Sequence, residues 1–211
     1  MDTKTRILQA ATELFELHGV HGASIRDICS KAEANIAAVN YYFGGKDALY
    51  TEVVRAVLSE SEELVPMPEA GDDRPLEQNL AIWIDWYVRR QFDPRIDRWM
   101  NFLRLEIADP TPMLKEISDT FIAPVYAEMR RLVTEILPGD PDPDLVTFHC
   151  NLINGPILKQ LLLSPLNEAG GEASSAPIAI DKMAEWTLRT VMTSLKASGA
   201  EISDDWAFAL S

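Results

Sequence analysis

The sequence predicts an all-α protein in which a small N-terminal head of three helices precedes a larger helical body. Apolar residues recur at three- and four-residue spacing along most of the chain. No segment alternates apolar and polar residues as a half-buried strand does. Helix-stopping signals such as Gly44-Gly45 and Asp109-Pro110 divide the pattern into about nine helices.

The first predicted helix opens the head. Asp2 or Thr3 can cap its start, because either side chain can accept a hydrogen bond from a free backbone amide. The helix reaches about Leu17, and Gly19 ends it. Its inner stripe consists of Ile7, Ala11, Leu14 and Phe15.

Two short helices follow. Ser24 and Asp27 have the spacing of a capping box, so a helix begins there. Asn35 can cap the next helix, and Gly44-Gly45 stops it. Two helices of about two turns joined by a tight turn form a helix-turn-helix, whose second helix fits the major groove of DNA. This stretch therefore predicts a nucleic-acid interface.

The rest of the chain keeps the helical pattern. We expect six longer helices, running from about Asp47 to Leu64, Leu76 to Tyr87, Ile96 to Ile107, Met113 to Ile136, Asp144 to Leu163 and Asp181 to Ala197. Pro124 should kink or split the helix that contains it.

Two segments of the body should be irregular, and one helix should join it to the head. Glycine, serine and proline predict a loop from Pro165 to Pro177, and Trp206 and Phe208 should dock the tail. The head meets the body along the fourth helix. We therefore expect a helix-turn-helix domain over residues 1–48 and a helical body over residues 49–211.

The charge distribution restricts how such a head could bind DNA. The net charge is −14, which opposes a polyanionic partner. Residues 1–50 carry five Lys/Arg against six Asp/Glu, a net of −1, so the remaining −13 lies in the body. An acidic body repels the duplex and so favours docking by the head.

Several classes of function are disfavoured. No apolar run reaches the roughly 18 residues of a membrane span, and no signal peptide is evident, so we expect a cytoplasmic protein. Cys29 and Cys150 lack metal-ligand spacing and are interpreted as reduced core residues, with no metal or cofactor expected. An enzyme using Glu106, Arg104 and His149 is disfavoured because nothing places them at catalytic spacing.

The stretch from Ile7 to Leu49 resembles the tetracycline-repressor (TetR) family of bacterial transcription regulators. The matching positions are Ile7-Leu8, Ala10-Ala11, Leu14-Phe15, Gly19, Ile25-Arg26-Asp27-Ile28, Val39, Tyr42-Phe43 and Lys46-Asp47-Ala48-Leu49. The resemblance implies a homodimer whose body binds a small molecule and thereby changes the spacing of the two heads. It also implies that the body carries the ligand-binding and dimerisation functions.

Two shorter segments resemble a subgroup of that family. They are Asn35 to Tyr41, within the run NIAAVNYYFGGK, and the body segment from Arg104-Leu105-Glu106 to Ala108-Asp109-Pro110-Thr111-Pro112. Glu33 departs from the family, which usually has glycine in this turn. Either the turn has a different geometry or Glu33 accepts backbone strain.

The resemblance also implies which residues contact DNA. The base-facing positions fall on Arg26, Ile36, Ala37, Asn40 and Tyr41, and the phosphate-contacting positions on Ser24, Tyr42 and Lys46. The chemistry agrees, because arginine can bind guanine, asparagine can bind adenine, and alanine or isoleucine can meet a thymine methyl group. The structural alternatives are a solvated Asn40 and a partly buried Tyr41.

The body contains a cluster of aromatic residues that could line an effector pocket or form an ordinary core. The candidate pocket residues are Trp83, Tyr87, Trp99, Phe102, Leu103, Arg104, His149 and Asn154. An acidic body favours a cationic or neutral lipophilic effector. Arg104 and Glu106 are the charged residues best placed near such a cavity, but a solvated or intramolecular ion pair is the favoured interpretation of these two.

The last two long helices carry apolar stripes that could form a dimer interface. The candidate interface residues are Leu152, Ile153, Ile157, Leu161, Ala184, Leu188, Val191 and Leu195. These stripes could also pack only on each other. Two helices from each protomer would make a four-helix seam, and a short reading helix gains from a two-fold partner.

The sequence thus favours a ligand-responsive repressor that binds a palindromic operator as a homodimer and is released by a small molecule. The alternative is an adaptor that keeps the fold and binds small molecules or proteins without recognising an operator. The negative charge and Glu33 are the main support for the alternative.

Overall fold

A computed structural model of the chain describes residues 1–69, 71, 73–168, 177–203 and 206, with side chains described in all of these except 162–168. Over these residues the secondary structure is helical, with no strand. The predicted all-α fold class is therefore confirmed.

The helices follow the predicted order. Their bounds are α1 Thr3–Gly22, α2 Ile25–Lys31, α3 Ile36–Phe43, α4 Lys46–Leu64, α5 Leu76–Arg90, α6 Asp97–Ala108, α7 Pro112–Ile117, α8 Ala123–Ile136, α9 Pro143–Glu168 and α10 Ile180–Ala197. A 3-10 turn, Pro94–Ile96, precedes α6, and a π turn, Ser118–Ile122, separates α7 from α8. Counted as one interrupted helix, α7 and α8 bring the described helices to the predicted nine.

Two boundaries differ from the predictions. Gly19 interrupts α1 with φ 64° but does not end it, because the chain resumes helical hydrogen bonding to Gly22. As predicted from Pro124, the helix expected from Met113 to Ile136 is split, and the split lies at the π turn before that proline. Proline has no N–H to donate to the preceding turn, so that turn widens.

The second difference concerns the start of the predicted loop. Helix α9 passes Pro165 and ends at Glu168, so the loop does not begin at Pro165. A proline removes one backbone donor but leaves its carbonyl as an acceptor, and a helix can continue past it. Residues 169–176 lie outside the described part of the chain, as does Phe208. Trp206 is described and packs against the core of the second unit.

The chain forms two compact units. The first comprises Met1–Pro66 with Pro94–Phe121, and the second comprises Met67–Asp93 with Ile122–Ser211. The boundary predicted between residues 48 and 49 falls within α4, which belongs to the first unit throughout.

Each unit has its own core. In the first, Phe15, Tyr50 and Phe102 bring α1, α4 and α6 together, with the Phe15 and Tyr50 ring centroids 5.1 Å apart. In the second, α5, α8, α9 and α10 pack around buried residues that include Trp83 and Ile153.

The turn between α2 and α3 shows which of the two predicted alternatives holds for Glu33. Glu33 has φ 49°, in the left-handed region that favours glycine. The Glu33 amide donates to the Ser30 carbonyl (3.3 Å), and the Ala34 amide donates to the Cys29 carbonyl (2.9 Å). This is the Schellman arrangement that a helix normally closes with glycine. The turn keeps the ordinary geometry, and Glu33 accepts the strain.

We predict that Glu33→Gly raises the free energy of unfolding by about 0.5–1 kcal/mol, because glycine removes the left-handed cost and only part of that gain is lost to a more flexible unfolded chain. Urea denaturation of the full chain measures the change. Ala34→Gly is the matched control, since Ala34 has no positive φ. It should lower the stability, and an equal loss in both variants would contradict the assignment of strain to Glu33.

Candidate nucleic-acid interface

The outer face of α3 is exposed. Ile36, Ala37, Asn40 and Tyr41 are all exposed, with Ile36 at 46% and Tyr41 at 83%. Positions i, i+1, i+4 and i+5 of a helix lie on adjacent rows of one face. The four side chains therefore form one surface, which we call the reading face.

The opposite side of α3 fixes this surface in place. Val39 is fully buried and Phe43 is 7% exposed. The Asn35 side chain accepts a hydrogen bond from the Ala38 amide (2.8 Å), which caps the helix start as predicted. Gly44, with φ 82°, closes the helix end. Burial on one side and caps at both ends leave the reading face little freedom to rotate.

Helix α2 contributes two further candidates. The Ser24 hydroxyl accepts from the Asp27 amide (3.1 Å), so the predicted N-cap is present, and it donates to the Asp27 carboxylate (2.6 Å). The carboxylate therefore binds the capping hydroxyl, whereas a full capping box would have it accept from the Ser24 backbone amide. Arg26 lies in the first turn and is exposed. The Ser24 hydroxyl proton is thus already used inside the protein.

Tyr42 and Lys46 flank the end of α3. Tyr42 is 40% exposed, and its ring packs edge-on against Tyr41 with centroids 5.0 Å apart. Lys46 is half-buried at the first position of α4, a helix without a side-chain cap. A cation there faces the positive end of the helix dipole. An anionic partner such as a phosphate would relieve that repulsion.

The basic residues of the head divide into two sets. Lys4 pairs with Glu52 (3.5 Å) and Lys31 with Glu13 (2.7 Å), while Arg6 points at backbone carbonyls. Arg26 and Lys46 form no ion pair or side-chain hydrogen bond with any residue the structure describes. These two cations are available for an external anion.

The role of Arg6 was missed from the sequence. Its Nε donates to the Ala32 carbonyl (3.0 Å), and its guanidinium also reaches the Glu33 carbonyl (3.4 Å). It therefore ties α1 to the turn before the reading helix. The contact spans 26 residues of chain, so no local pattern in the sequence could have indicated it.

The candidate pocket residues divide between the two units. Trp99, Phe102, Leu103 and Arg104 belong to the first unit, where Trp99 and Phe102 are buried and Arg104 is exposed. Trp83, Tyr87, His149 and Asn154 belong to the second unit and are buried there. Glu106 and His149, considered above for an enzyme, likewise belong to different units.

In the second unit, the aromatic residues of α5 form a stack. The Trp83 and Tyr87 rings lie 4.8 Å apart at 15°, and Arg90 sits 5.6 Å over the Trp86 ring. Burial and the neighbouring Tyr126 raise the pKa of Tyr87 well above its ordinary value, so it stays a neutral phenol. The indole nitrogens of Trp83 and Trp86 have no hydrogen-bond partner among the described residues.

The polar residues of α9 are held mainly by their own helix. His149 Nδ1 lies 2.8 Å from the Leu145 carbonyl, and its Nε2 lies 3.2 Å from the Ser194 hydroxyl. The Asn154 amide donates to the Cys150 carbonyl (3.1 Å), while its oxygen has no partner within the described chain.

Each unit has an open cavity of similar size. A cavity of about 300 Å³ in the first unit is lined by residues of α1, α4 and the start of α6, including Glu16, Ser61 and Trp99. A groove of about 290 Å³ in the second unit lies on α9 and α10, beside Leu152, Gly155 and Trp186. Trp99 is thus the one predicted pocket residue that lines the first cavity.

The predicted dimer residues need a correction. Six of them have side chains enclosed in the protomer's own core: Ile153, Ile157, Ala184, Leu188, Val191 and Leu195. An enclosed side chain has no surface to offer a partner. Leu152 and Leu161 are partly buried. Among the side chains of α9 and α10 that the structure describes, the large apolar ones that are exposed are Phe148, Leu158 and Trp186.

The described residues also bear on membrane and metal-binding functions. No helix among them is long and apolar enough to cross a membrane. No group of three or more His, Cys, Asp or Glu side chains in those ranges could hold a metal ion. Cys29 and Cys150 are free and buried, as predicted, and burial raises the pKa of both thiols.

Two family models match the chain. Residues 7–53 match the model described as bacterial regulatory proteins, tetR family. Residues 76–197 match the model described as the C-terminal domain of the HTH-type transcriptional dual regulator CecR. The second match covers more than half of the 211 residues.

Curated relatives and solved structures agree with these matches. The chain is 25% identical over 166 residues to the HTH-type transcriptional dual regulator CecR of Shigella flexneri, covering 74% of each protein. It is 39% identical over 124 residues to the probable HTH-type transcriptional regulator YttP of Bacillus subtilis, covering 58% of each. A putative TetR-family regulator from Mesorhizobium loti has the same fold, with a TM-score of 0.60 at 19% identity, over 92% of this chain and 96% of that one.

We predict effects of very different size for Phe43 and Tyr41, two aromatic residues of α3. Phe43→Ala should lower the free energy of unfolding by about 3 kcal/mol or more, because it opens a cavity in the core. Tyr41→Ala should change it by no more than about 0.5 kcal/mol, because the ring lies on the surface. Urea unfolding at one protein concentration compares them. A large loss in Tyr41→Ala would place that ring in the core and remove it from the reading face.

Proposed function

The chain belongs to the TetR family of bacterial transcription regulators, with a C-terminal domain of the CecR type, and we propose that it is a cytoplasmic, ligand-responsive repressor that binds a palindromic operator as a homodimer. Its relatives are DNA-binding regulators and not enzymes. The observation that carries the proposal is the reading face of α3, an exposed set of base-compatible side chains on a helix whose other side is buried.

The reading face has the chemistry to distinguish bases. In the major groove, Asn40 can bind adenine through two hydrogen bonds, and Arg26 can bind guanine in the same way. Ile36 and Ala37 can meet thymine methyl groups. Tyr41, which is 83% exposed, would contact a base edge at the margin of the site. Each good pair is worth about 1–3 kcal/mol of discrimination.

Phosphate contacts would position the head. Lys46 and the Tyr42 hydroxyl flank the end of α3, and Ser24 stands at the start of α2. Because the Ser24 hydroxyl already donates to Asp27, a phosphate there would be bound through backbone amides at the helix start. With few cations per head, we expect a shallow dependence of affinity on salt.

Dimerisation would compensate for this weak electrostatic attraction. Trp186 lines the groove on α9 and α10, and α9 also exposes Phe148 and Leu158. A two-fold interface needs one surface that offers both projections and recesses, and this face has both. Two linked heads bind one operator more tightly than a single head does, because the second head binds intramolecularly.

The effector would be a small molecule that favours one conformation of the body. The effector shifts the equilibrium between body conformations only if its affinity for that conformation exceeds its affinity for the conformation that binds DNA. The aromatic stack of Trp83, Trp86 and Tyr87, in a protein of net charge −14, favours a cationic or neutral lipophilic compound.

We predict that the protein protects a palindrome in the DNA upstream of its own gene in a footprinting experiment, with half-sites about 34–36 Å apart or wider where the DNA is distorted. Asn40→Ala should raise the operator Kd about tenfold or more, because one bidentate base contact is lost. Gln9→Ala, an exposed change on α1 of the same head, is the control and should leave the Kd unchanged. Absence of any protected palindrome, with no salt dependence of binding, would favour the adaptor function instead.

We predict that Trp186→Glu produces a folded monomer, because it puts a charge on an apolar surface that a partner would bury. Trp186 is 51% exposed, so the protomer should keep its helical content. Sedimentation velocity and circular dichroism measure the two properties. Thr134→Glu adds the same charge at an exposed position on α8 and should remain dimeric. A dimeric Trp186→Glu variant would move the interface elsewhere.

A further inference from the structure

A buried carboxylate in the first unit has no part in the reading face. Glu106 lies on α6 and is 1% exposed. Burying a carboxylate is costly unless hydrogen bonds replace the lost water. The hydrogen-bond donors that stabilise the Glu106 carboxylate therefore indicate the role of this residue.

Two residues supply those hydrogen bonds. The Tyr50 hydroxyl donates to Oε1 of Glu106 at 2.6 Å. The Thr111 hydroxyl donates to the same carboxylate at 2.8 Å, and the Thr111 backbone amide donates to Oε2 at 3.1 Å. One carboxylate thus joins α4 to the residue that precedes α7.

Tyr50 connects this carboxylate to the head. It lies on α4, four residues after Lys46, and is buried between the rings of Phe15 on α1 and Phe102 on α6. Burial, followed by the hydrogen bond to Glu106, raises the Tyr50 pKa far above its ordinary value. The phenol therefore remains a permanent donor, and its position follows that of Glu106.

Thr111 connects the same carboxylate to α7. It is the N-cap of that helix, and its hydroxyl oxygen accepts from the Met113 amide at 3.1 Å. The same hydroxyl donates its proton to Glu106. Capping of α7 and pairing with Glu106 therefore depend on one side chain and cannot change independently.

We propose that Glu106 is a positioning residue for the head. Through its contact with Tyr50, Glu106 sets the position of α4, and that position depends on whether Thr111 caps α7. Both contacts are strong because the acceptor is charged and buried. Loss of either donor leaves Glu106 under-satisfied and loosens the other contact. The consequence for DNA binding rests on the proposed function, whereas the coupling of α4 to α7 does not.

This arrangement also accounts for a sequence feature that DNA contacts leave unexplained. The segment from Arg104 to Pro112 places a glutamate five residues before a threonine, across the Asp109-Pro110 helix end. That spacing lets the α6 carboxylate reach both donors of the residue that starts the next helix.

Hydrogen–deuterium exchange on the free full-length protein tests the coupling without DNA. Thr111→Val removes the hydroxyl, and we expect amides 47–53 of α4 to exchange about tenfold faster, as well as those of α7. Thr111→Ser keeps the hydroxyl and should restore slow exchange in both. The control is Asp2→Ala, which removes the cap of α1, where the Asp2 carboxylate accepts from the Thr5 amide. In this variant, hydrogen exchange should become faster only in the first turn of α1. Faster exchange confined to α7 in Thr111→Val would overturn the proposal.

A second variant covers the case in which Thr111→Val does not fold. Tyr50→Phe keeps the ring and removes only the donor, and by reciprocity amides 113–117 should exchange about tenfold faster. Unchanged exchange there would also overturn the proposal. In the DNA arm, Tyr50→Phe should weaken binding to the footprinted palindrome severalfold. If exchange changes as expected but no variant or wild type binds DNA, the coupling stands and the repressor function fails.

Discussion

Helices as short as α2 and α3 are not stable alone. At seven and eight residues, they fall well below the roughly 12–15 residues at which isolated helices become marginal in water. The reading face therefore depends on the longer helices around it. Val39 and Phe43 anchor α3 in the core, and Arg6 holds the turn through its carbonyl oxygens. The surface that we propose fits a DNA groove takes its rigidity from α1 and α4.

Charge explains why that rigidity matters. A head with a net charge of −1 on a body of −13 has little long-range attraction for DNA. Most of its cations are already committed to Glu52, Glu13 or the turn, which leaves Arg26 and Lys46. Proteins rich in basic residues can tolerate a loosely placed head. Here the contacts are few, so the proposed binding depends on their geometry and on two heads acting together.

Structural features that depend on residues close together in the chain were predictable from the sequence. Caps at Ser24 and Asn35 involve partners three residues away, and both were found where the pattern indicated. Long-range contacts were not predictable in this way. Arg6 reaches a turn 26 residues away, and Tyr50 reaches Glu106 across 56 residues, so neither role leaves a local trace in the sequence.

The same limit explains the corrected dimer residues. Helical periodicity identifies an apolar stripe, such as Ile153, Ile157 and Leu161, but not whether the stripe meets its own protomer or a partner. The structure assigns most of that stripe to the core. Exposed Phe148, Leu158 and Trp186 stood outside the stripes and became informative only when burial was known.

The placement of the two cysteines allows the opening of each unit to be followed separately. Cys29 belongs to the first unit and Cys150 to the second, and both thiols are free and buried. A buried thiol with a raised pKa reacts with an alkylating reagent only after the surrounding structure opens. Mass spectrometry of the labelled peptides would therefore give one opening rate for each unit of the unmodified wild-type chain.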